Sequence, residues 1–503
     1  MPSAAQTVLI LTPVKNATGC LDTYFAGLDK LTYPASSISL AFLESDSDDE
    51  TFERIQEQFE QLRDRFVSVE IWRKNFDFRV PEGLSRSADA FQIPRRKILA
   101  KARNQLLFRA LKNQDWVLWL DVDVIDYPAD LIERLIATGR DIVHPHCVKR
   151  YGGPTFDLNA WRDHGRVHMD DLRGGADLVR LDTVGGTVLL VRADVHRDGL
   201  IFPCFPYGAA NPAVRRPGPL QISGELETEG FGIMAKDMGY QPWGMPNLEV
   251  LHAPDWIPPD APGPTTAARP PTPRTRSSGR STAAGCDRPR EPKFLHGAFE
   301  ARSLAQAIAL TVTPESGVST QQRWETETRY HVDDIGNYLA LGYHTTVLDY
   351  GCGTGRIAKG LIERYGCRVI GCDSSQSMRL WAPEYVSSER FSVWSPTLLE
   401  QLTARGFRVD YCISLWVMQH ALDPDQVIDR LHRVLRPGGL LYSLNQLTRS
   451  VPTDQGWIDD GIDVRGNLCR VFDEEDFHIM PEVIVPSNLA GRAMVQILRR
   501  RAE

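Results

Sequence analysis

No two cysteines in this 503-residue chain stand in a C-x-x-C spacing, and the nine present are scattered. That argues against a disulfide framework and for a reducing compartment. Long apolar runs are missing too. The longest near the start, Val8-Leu9-Ile10-Leu11, falls far short of a membrane span and lacks the flanks of a signal peptide. Nor is there an excess of positive charge. Lys and Arg number 57 against 65 Asp and Glu, a formal net charge of −8 with a pI near 5.9, which argues against a nucleic-acid binder. No internal repeat relates the two halves. The expectation is a cytoplasmic protein, peripheral at most to a membrane, with its oligomeric state left open.

What is present is organised around proline. Pro254 to Pro292 holds ten prolines in 39 residues, and Thr265 to Ala284 has four arginines, no acid and no aliphatic side chain larger than alanine. Such a stretch buries too little apolar surface to offset the entropy of ordering it. A loop of that length inside one compact domain would be unusual. It reads as a disordered Pro/Arg-rich linker over 254–293, separating a domain at 1–253 from another at 294–503.

In the first half, short apolar runs alternate with helical patterns. Thr7–Leu11, Ser39–Leu43, Val67–Trp72 and Asp115–Leu120 read as strands, Thr51–Phe66 and Ile93–Leu111 as helices. That alternation predicts an α/β fold with a mostly parallel sheet. The last of these strands delivers Asp121-Val122-Asp123. Both carboxylates fall on one side of the extended backbone, at the carboxyl end where open α/β sheets bind ligands. Two hard oxygen donors there suit Mn²⁺ or Mg²⁺ on a diphosphate; a solvated strand end has the same pattern.

The setting of this D-x-D adds to it. Leu9-Ile-Leu-Thr-Pro-Val-Lys-Asn16, Tyr33-Pro34, Glu44-Ser45-Asp46-Ser47, Lys101-Ala-Arg-Asn-Gln-Leu-Leu107, Trp119-Leu-Asp-Val-Asp-Val124, Glu227-Thr-Glu-Gly-Phe231 and Pro246-Asn247 with His252 follow one another in order. Through these blocks, residues 7 to 252 resemble the glycosyltransferases of the fungal mannan-polymerase type (family 62), which have the GT-A nucleotide-sugar fold. Fungal members also carry an N-terminal membrane anchor, of which this sequence shows none. The resemblance implies a retaining transferase using GDP-mannose and a saccharide acceptor. Asp121 and Asp123 would hold the metal, with His252 as a further ligand or else a packed side chain. Thr12 to Lys15 would form the first nucleotide-contacting loop. Arg103 and Asn104 would contact the diphosphate or sugar, or else lie on a solvated basic helix face. Of Glu225, Glu227 and Glu229, the last is the candidate catalytic acid, against the alternative that all three offset a helix dipole. His144-Pro145-His146 reads as strand-end packing.

In the second half a helical lead-in containing Trp324 precedes the strand Thr346–Asp349, the loop Tyr350-Gly351-Cys352-Gly353-Thr354-Gly355 and the helix Arg356–Tyr365. Alternate glycines let backbone turn tightly and approach a ligand. Arg368–Cys372 is the next strand and ends in Asp373, about twenty residues on, where an acid can accept from both ribose hydroxyls. With Val409-Asp-Tyr-Cys-Ile-Ser-Leu-Trp-Val-Met-Gln-His420 and Leu435-Arg-Pro-Gly-Gly-Leu-Leu441, residues 345 to 445 resemble class I S-adenosylmethionine-dependent methyltransferases, a Rossmann-like fold. By that resemblance Asp349, Gly351, Gly353 and Gly355 border the methionine portion of the cofactor, Asp373 holds its ribose, and Met378 packs near the adenine. Many members place an acid after the third strand; here that position is Ser395. His420 is a candidate base for a hydroxyl acceptor, or a packed loop histidine. Trp457, Asp459, Asp460 and Asp463 fall where acceptor specificity is expected.

The leading reading is a bifunctional enzyme, a mannosyltransferase joined to an O-methyltransferase acting on the same saccharide. Two others compete: a non-catalytic glycan- or nucleotide-binding module that targets a methyltransferase, and a methyltransferase of an unrelated small molecule or lipid.

Overall fold

The computed structural model describes residues 6–79, 89–208, 224–253 and 293–501. Residues 254–292, on which the linker reading rests, lie outside the described residues. Two large sheets organise the rest.

The first sheet lies wholly before residue 253. Its main path runs Ser68–Arg73, Ile38–Glu44, Val8–Val14, Trp116–Leu120, Val188–Arg192, Ile142–Val148, Pro242–His252 and Val124–Asp126. The first four strands are mutually parallel, as the alternation predicts. Val188–Arg192 then enters antiparallel between Trp116–Leu120 and Ile142–Val148. Val8–Val14, Ile38–Glu44 and Trp116–Leu120 are almost wholly buried, because neighbouring strands and helices cover both faces. The helix Asp89–Ala110 packs on this sheet and carries Arg103, Asn104 and Gln105.

The second sheet runs Phe391–Trp394, Arg368–Cys372, Thr346–Tyr350, Val409–Leu415, Leu435–Gln446, Ala493–Arg500 and Phe472–Ile479. Numbered in chain order this is 3-2-1-4-5-7-6, with the last strand antiparallel to both its neighbours. The order reverses between Thr346–Tyr350 and Val409–Leu415, the crevice where doubly wound sheets bind ligands. It is the Rossmann-like arrangement of class I methyltransferases. Helix starts are set locally: Ser319 forms a capping box with Gln322, and Ser375 and Ser395 each accept an N–H of the turn they open.

The halves touch directly. Lys74 reaches Glu384 at 3.2 Å and lies over the Trp381 ring, and Lys97 reaches Glu389 at 3.0 Å. Arg405 meets Asp237 at 3.3 Å, Gln376 donates to the Arg197 carbonyl, and Gly199 sits against Ser395. One apolar core cluster includes Ile201 and Phe205 from the first half and Leu398 and Leu402 from the second. Among the described residues no helix is long and apolar enough to cross a membrane.

Candidate active sites

The first site is built at the carboxyl end of Trp116–Leu120. Asp121 accepts two bonds from Nη2 of Arg103, both at 3.1 Å. Arg103 is buried, and its Nε donates to Glu227 at 3.1 Å while Nη2 also donates to the Gly186 carbonyl at 3.2 Å. Burial works against its charge, yet Asp121 and Glu227 raise its pKa. One guanidinium is thus shared by the buried Glu227 and the partly exposed Asp121, with Asp123 nearby. Burial pushes the Asp121 carboxyl up to about 7 against the pull of Arg103.

Asp123 turns the other way, to His252, with 3.1 Å between Oδ2 and Nε2. Nδ1 of that imidazole bonds the Ala253 carbonyl at 2.6 Å, and its ring stacks on Phe156 at 3.5 Å between centroids. Burial pushes Asp123 up and His252 down. Their mutual bond outweighs both, so Asp123 lies below and His252 above its usual value.

Neighbouring ligands of a small divalent cation bound at about 2.1 Å stand roughly 3 Å apart. Asp123 Oδ2 and His252 Nε2 have that separation, and the surrounding carboxylates outnumber the cations. Asp121 is taken up by Arg103 instead, and among the described residues no three His, Cys, Asp or Glu side chains converge as a metal-holding group. The Asp123–His252 edge therefore fits a cation, and Asp121 would join it only on release from Arg103.

Several residues expected at this site are engaged with other partners. Thr12 is not in a loop: the strand continues to Val14, and the Thr12 hydroxyl is buried against Tyr24 at 2.5 Å. Lys15 follows the strand and donates to the Phe78 carbonyl at 2.9 Å. Asn104, one position along the helix from Arg103, clamps the backbone of Phe202 with bonds of 2.7 and 2.9 Å. Glu229 binds the Trp161 indole N–H and Arg96, each at 2.8 Å. Glu227, not Glu229, joins Arg103. His144 and His146 are fully buried in Ile142–Val148 and bond backbone carbonyls.

Sequence reasoning missed three further parts of this network. Asp157 accepts the N–H groups of Gly186 and Thr187 at 2.7 and 3.2 Å and so fixes the loop that meets Arg103. A Cβ on Gly186 would stand 2.6 Å from Nη2 of Arg103, so only glycine allows that approach. The Gly185-Gly186 pair was the available signal. Glu227 had one too, in its alternation with Glu225 and Glu229.

The second site lies at the switch point of the second sheet. Gly351, Gly353 and Gly355 all have positive φ, between +53° and +76°. Asp373 accepts the Gly353 N–H at 2.8 Å and the Ser375 N–H at 2.9 Å, drawing the ribose-type acid and the glycine loop together. Asp349 is buried with Oδ2 unpartnered, and burial together with Asp373 pushes its carboxyl up to about 7. An orphaned buried oxygen beside a glycine cradle fits the amino end of S-adenosylmethionine. Trp416, a bulky residue at φ +61°, ends the neighbouring strand; strain of this kind collects at functional sites. Met378 is buried with Trp381 against Ala301 and Ala307 of the lead-in. Ser395 caps the next helix and abuts Gly199.

His420 stands on the loop after Val409–Leu415. Its Nδ1 bonds the Ser450 carbonyl at 2.6 Å, and Nε2 is 3.1 Å from the Gln419 amide. Burial, and then Arg449, lower its pKa. A neutral imidazole with Nδ1 donating has its lone pair on Nε2, where it accepts from the Gln419 amide N–H and where an acceptor hydroxyl would have to replace that donor.

Comparison with known proteins matches the two halves of the chain to two families. A family model described as Anp1 matches residues 2–169 and 163–206, and one described as a methyltransferase domain matches 348–443. The chain is 30% identical over 292 residues to the "Mannan polymerase II complex anp1 subunit" of Schizosaccharomyces pombe, covering 50% of this chain and 64% of that one. It is 31% identical over 287 residues to the "Mannan polymerase complex subunit mnn9" of the same organism, covering 49% and 80%. The second half is 29% identical over 107 residues to the "Ubiquinone biosynthesis O-methyltransferase" of Bartonella bacilliformis, covering 21% and 43%. Through its first half the chain belongs to the Anp1 family of mannan-polymerase-type glycosyltransferases, and its second half is a class I methyltransferase domain.

Proposed function

We propose that the chain is a bifunctional glycan-modifying enzyme. Its first unit, residues 1–253, transfers mannose from GDP-mannose to a saccharide; its second, 294–503, O-methylates the same saccharide. The observation that carries this reading is that each half closes its own acid-lined site at the carboxyl ends of its sheet. In the first, Asp123 and His252 would hold Mn²⁺ or Mg²⁺, which when bound supplies positive charge to a leaving diphosphate. Arg103 keeps Asp121 and Glu227 in place behind that edge. In the second, Asp349 and the glycine loop would hold S-adenosylmethionine at its methionine end and Asp373 at its ribose. That cosubstrate supplies an electrophilic methyl group. His420 Nε2 would take the proton of the acceptor hydroxyl as oxygen gains the methyl.

Mass spectrometry of products tests the whole reading. Purified chain is given a panel of nucleotide sugars, Mn²⁺, labelled S-adenosylmethionine and mannose oligosaccharides. Hexose and label in one product are expected, and label confined to a non-sugar acceptor would overturn it. Asp123→Ala is expected to abolish sugar transfer while calorimetry finds S-adenosylmethionine binding intact.

The bond between Asp121 and Arg103 favours one second reading, a first half that binds nucleotide or glycan without turning it over. Metal-dependent hydrolysis of GDP-mannose by the wild type separates the two.

The methyl-transfer rate carries its own check. His420 must be neutral to act, and burial lowers its pKa beneath the usual 6.5. The rate should therefore hold through neutrality and fall on acidification with a midpoint below 6.5. His420→Gln should remove that limb from the pH profile and lower kcat by about 10²–10⁴-fold.

A further inference from the structure

We propose that the hairpin formed by Val451–Thr453 and Gly456–Ile458 is the acceptor platform of the methyltransferase half, and that Trp457 stacks on a ring of a neutral saccharide. The inference rests on the bifunctional reading and deepens it.

Three rings gather beside the second site. His420 lies 5.5 Å from Phe299 and 5.3 Å from Trp457, and Phe299 is 6.1 Å from Trp457, centroid to centroid. Trp457 is 58% exposed. A lone exposed aromatic is ordinary; one beside the candidate base, at the ligand-binding edge of the sheet, is placed to meet an acceptor. Its position is fixed. Arg449, itself buried, grips Asp460 with bonds of 2.9 and 2.7 Å and also donates to the Met418 carbonyl. The strand end bearing His420 and the segment after Trp457 are thereby bolted together. On the other side, the Phe299 carbonyl accepts from Ser375, two residues beyond Asp373.

The surroundings select the occupant. Asp454, Asp459 and Asp463 make this rim acidic, Asp460 being paired with Arg449, which disfavours a phosphorylated or carboxylated acceptor. A sugar ring offers C–H groups to the electron-rich indole face and hydroxyls to carboxylates. The course of the chain points the same way. Ala253, the last described residue of the first half, donates its N–H to the Asp123 carbonyl at 2.7 Å. On re-entering at Lys293, the chain pairs with this hairpin: Lys293 N–H bonds Asp454 at 2.8 Å, Leu295 N–H bonds Pro452 at 3.0 Å, and Phe294 bridges to Thr453. The covalent path leaves one site's edge and arrives at the other's.

The test titrates mannotriose into the full chain loaded with S-adenosylhomocysteine, read by calorimetry and tryptophan fluorescence, alongside steady-state methylation. Trp457→Ala should weaken mannotriose binding about tenfold, raise KM more than it lowers kcat, and leave S-adenosylhomocysteine affinity in place. Trp457→Phe should recover most of the loss. His420→Gln should show the opposite split, with kcat lowered and mannotriose affinity kept. Saccharide methylation with the same KM in Trp457→Ala would overturn the platform alone. A wild type that methylates only a phenol or lipid, and binds no mannotriose, would overturn the bifunctional reading with it. Because Trp457 is exposed, retained S-adenosylhomocysteine binding verifies that the variant is folded.

Discussion

Arg103→Leu is expected to cost about 3–5 kcal/mol of folding stability, because it strips a buried guanidinium from the buried carboxylate of Glu227 and from the partly exposed Asp121. Asp121 and Glu227 both bond that side chain, and Arg103 also stacks near Trp119 and Phe202, so leucine restores bulk but no charge. Loss of sugar transfer should accompany the drop in Tm. The triple change of Arg103→Leu with Asp121→Asn and Glu227→Gln separates the two effects. It removes the unpaired charges and should regain much of the stability, while transfer stays lost. A single variant as stable as wild type in denaturant titrations would mean that the network does not hold this site together.

Gly353→Val should abolish S-adenosylmethionine binding at concentrations that saturate the wild type. Gly353 has φ +53°, where an L-residue costs about 1–2 kcal/mol and a β-branched one more. A Cβ there would already stand 3.0 Å from the Thr311 hydroxyl, so the valine methyls must fill the cradle or displace the helix Leu304–Thr311. Gly353→Ala grades the result, since it carries the backbone cost with far less bulk. Calorimetry with both variants reads the difference. Unaltered affinity for Gly353→Val would move the cofactor away from this loop.

Both changes fall on features that local sequence makes readable, and they also mark where that reading stops. Asp121 and Asp123, or Asp349 and Asp373, are found from strand periodicity and glycine spacing, which depend on a few neighbouring residues. Side-chain direction on a helix does not. Arg103 and Asn104 are adjacent in sequence, but about 100° of helical rotation sends one to Asp121 and the other to Phe202. Among Glu225, Glu227 and Glu229 the sequence singles out Glu229, because spacing ahead of a helix does not say which acid turns inward. In fact the helix begins at Glu227 with φ +51°, and that start decides which acid meets Arg103. Met378 is covered by Ala301 and Ala307, a tertiary contact with no local signature in the sequence. The inserted antiparallel strand Val188–Arg192 likewise takes its place from partners some seventy and forty-five residues away in the chain.

The contact between the halves bears on how the protein can be dissected. A proline-rich tether alone would let a single nick in Thr265–Ala284 release two free enzymes. With Lys74 and Lys97 paired to Glu384 and Glu389, Arg405 to Asp237, and apolar side chains of both halves in one core cluster, the nicked chain is expected to stay together as a non-covalent heterodimer. Its fragments should comigrate in gel filtration and part only in denaturant. Either fragment expressed alone presents to water a face that the intact chain keeps dry, so poor solubility of an isolated half would report on that lost partner and not on a misplaced domain boundary.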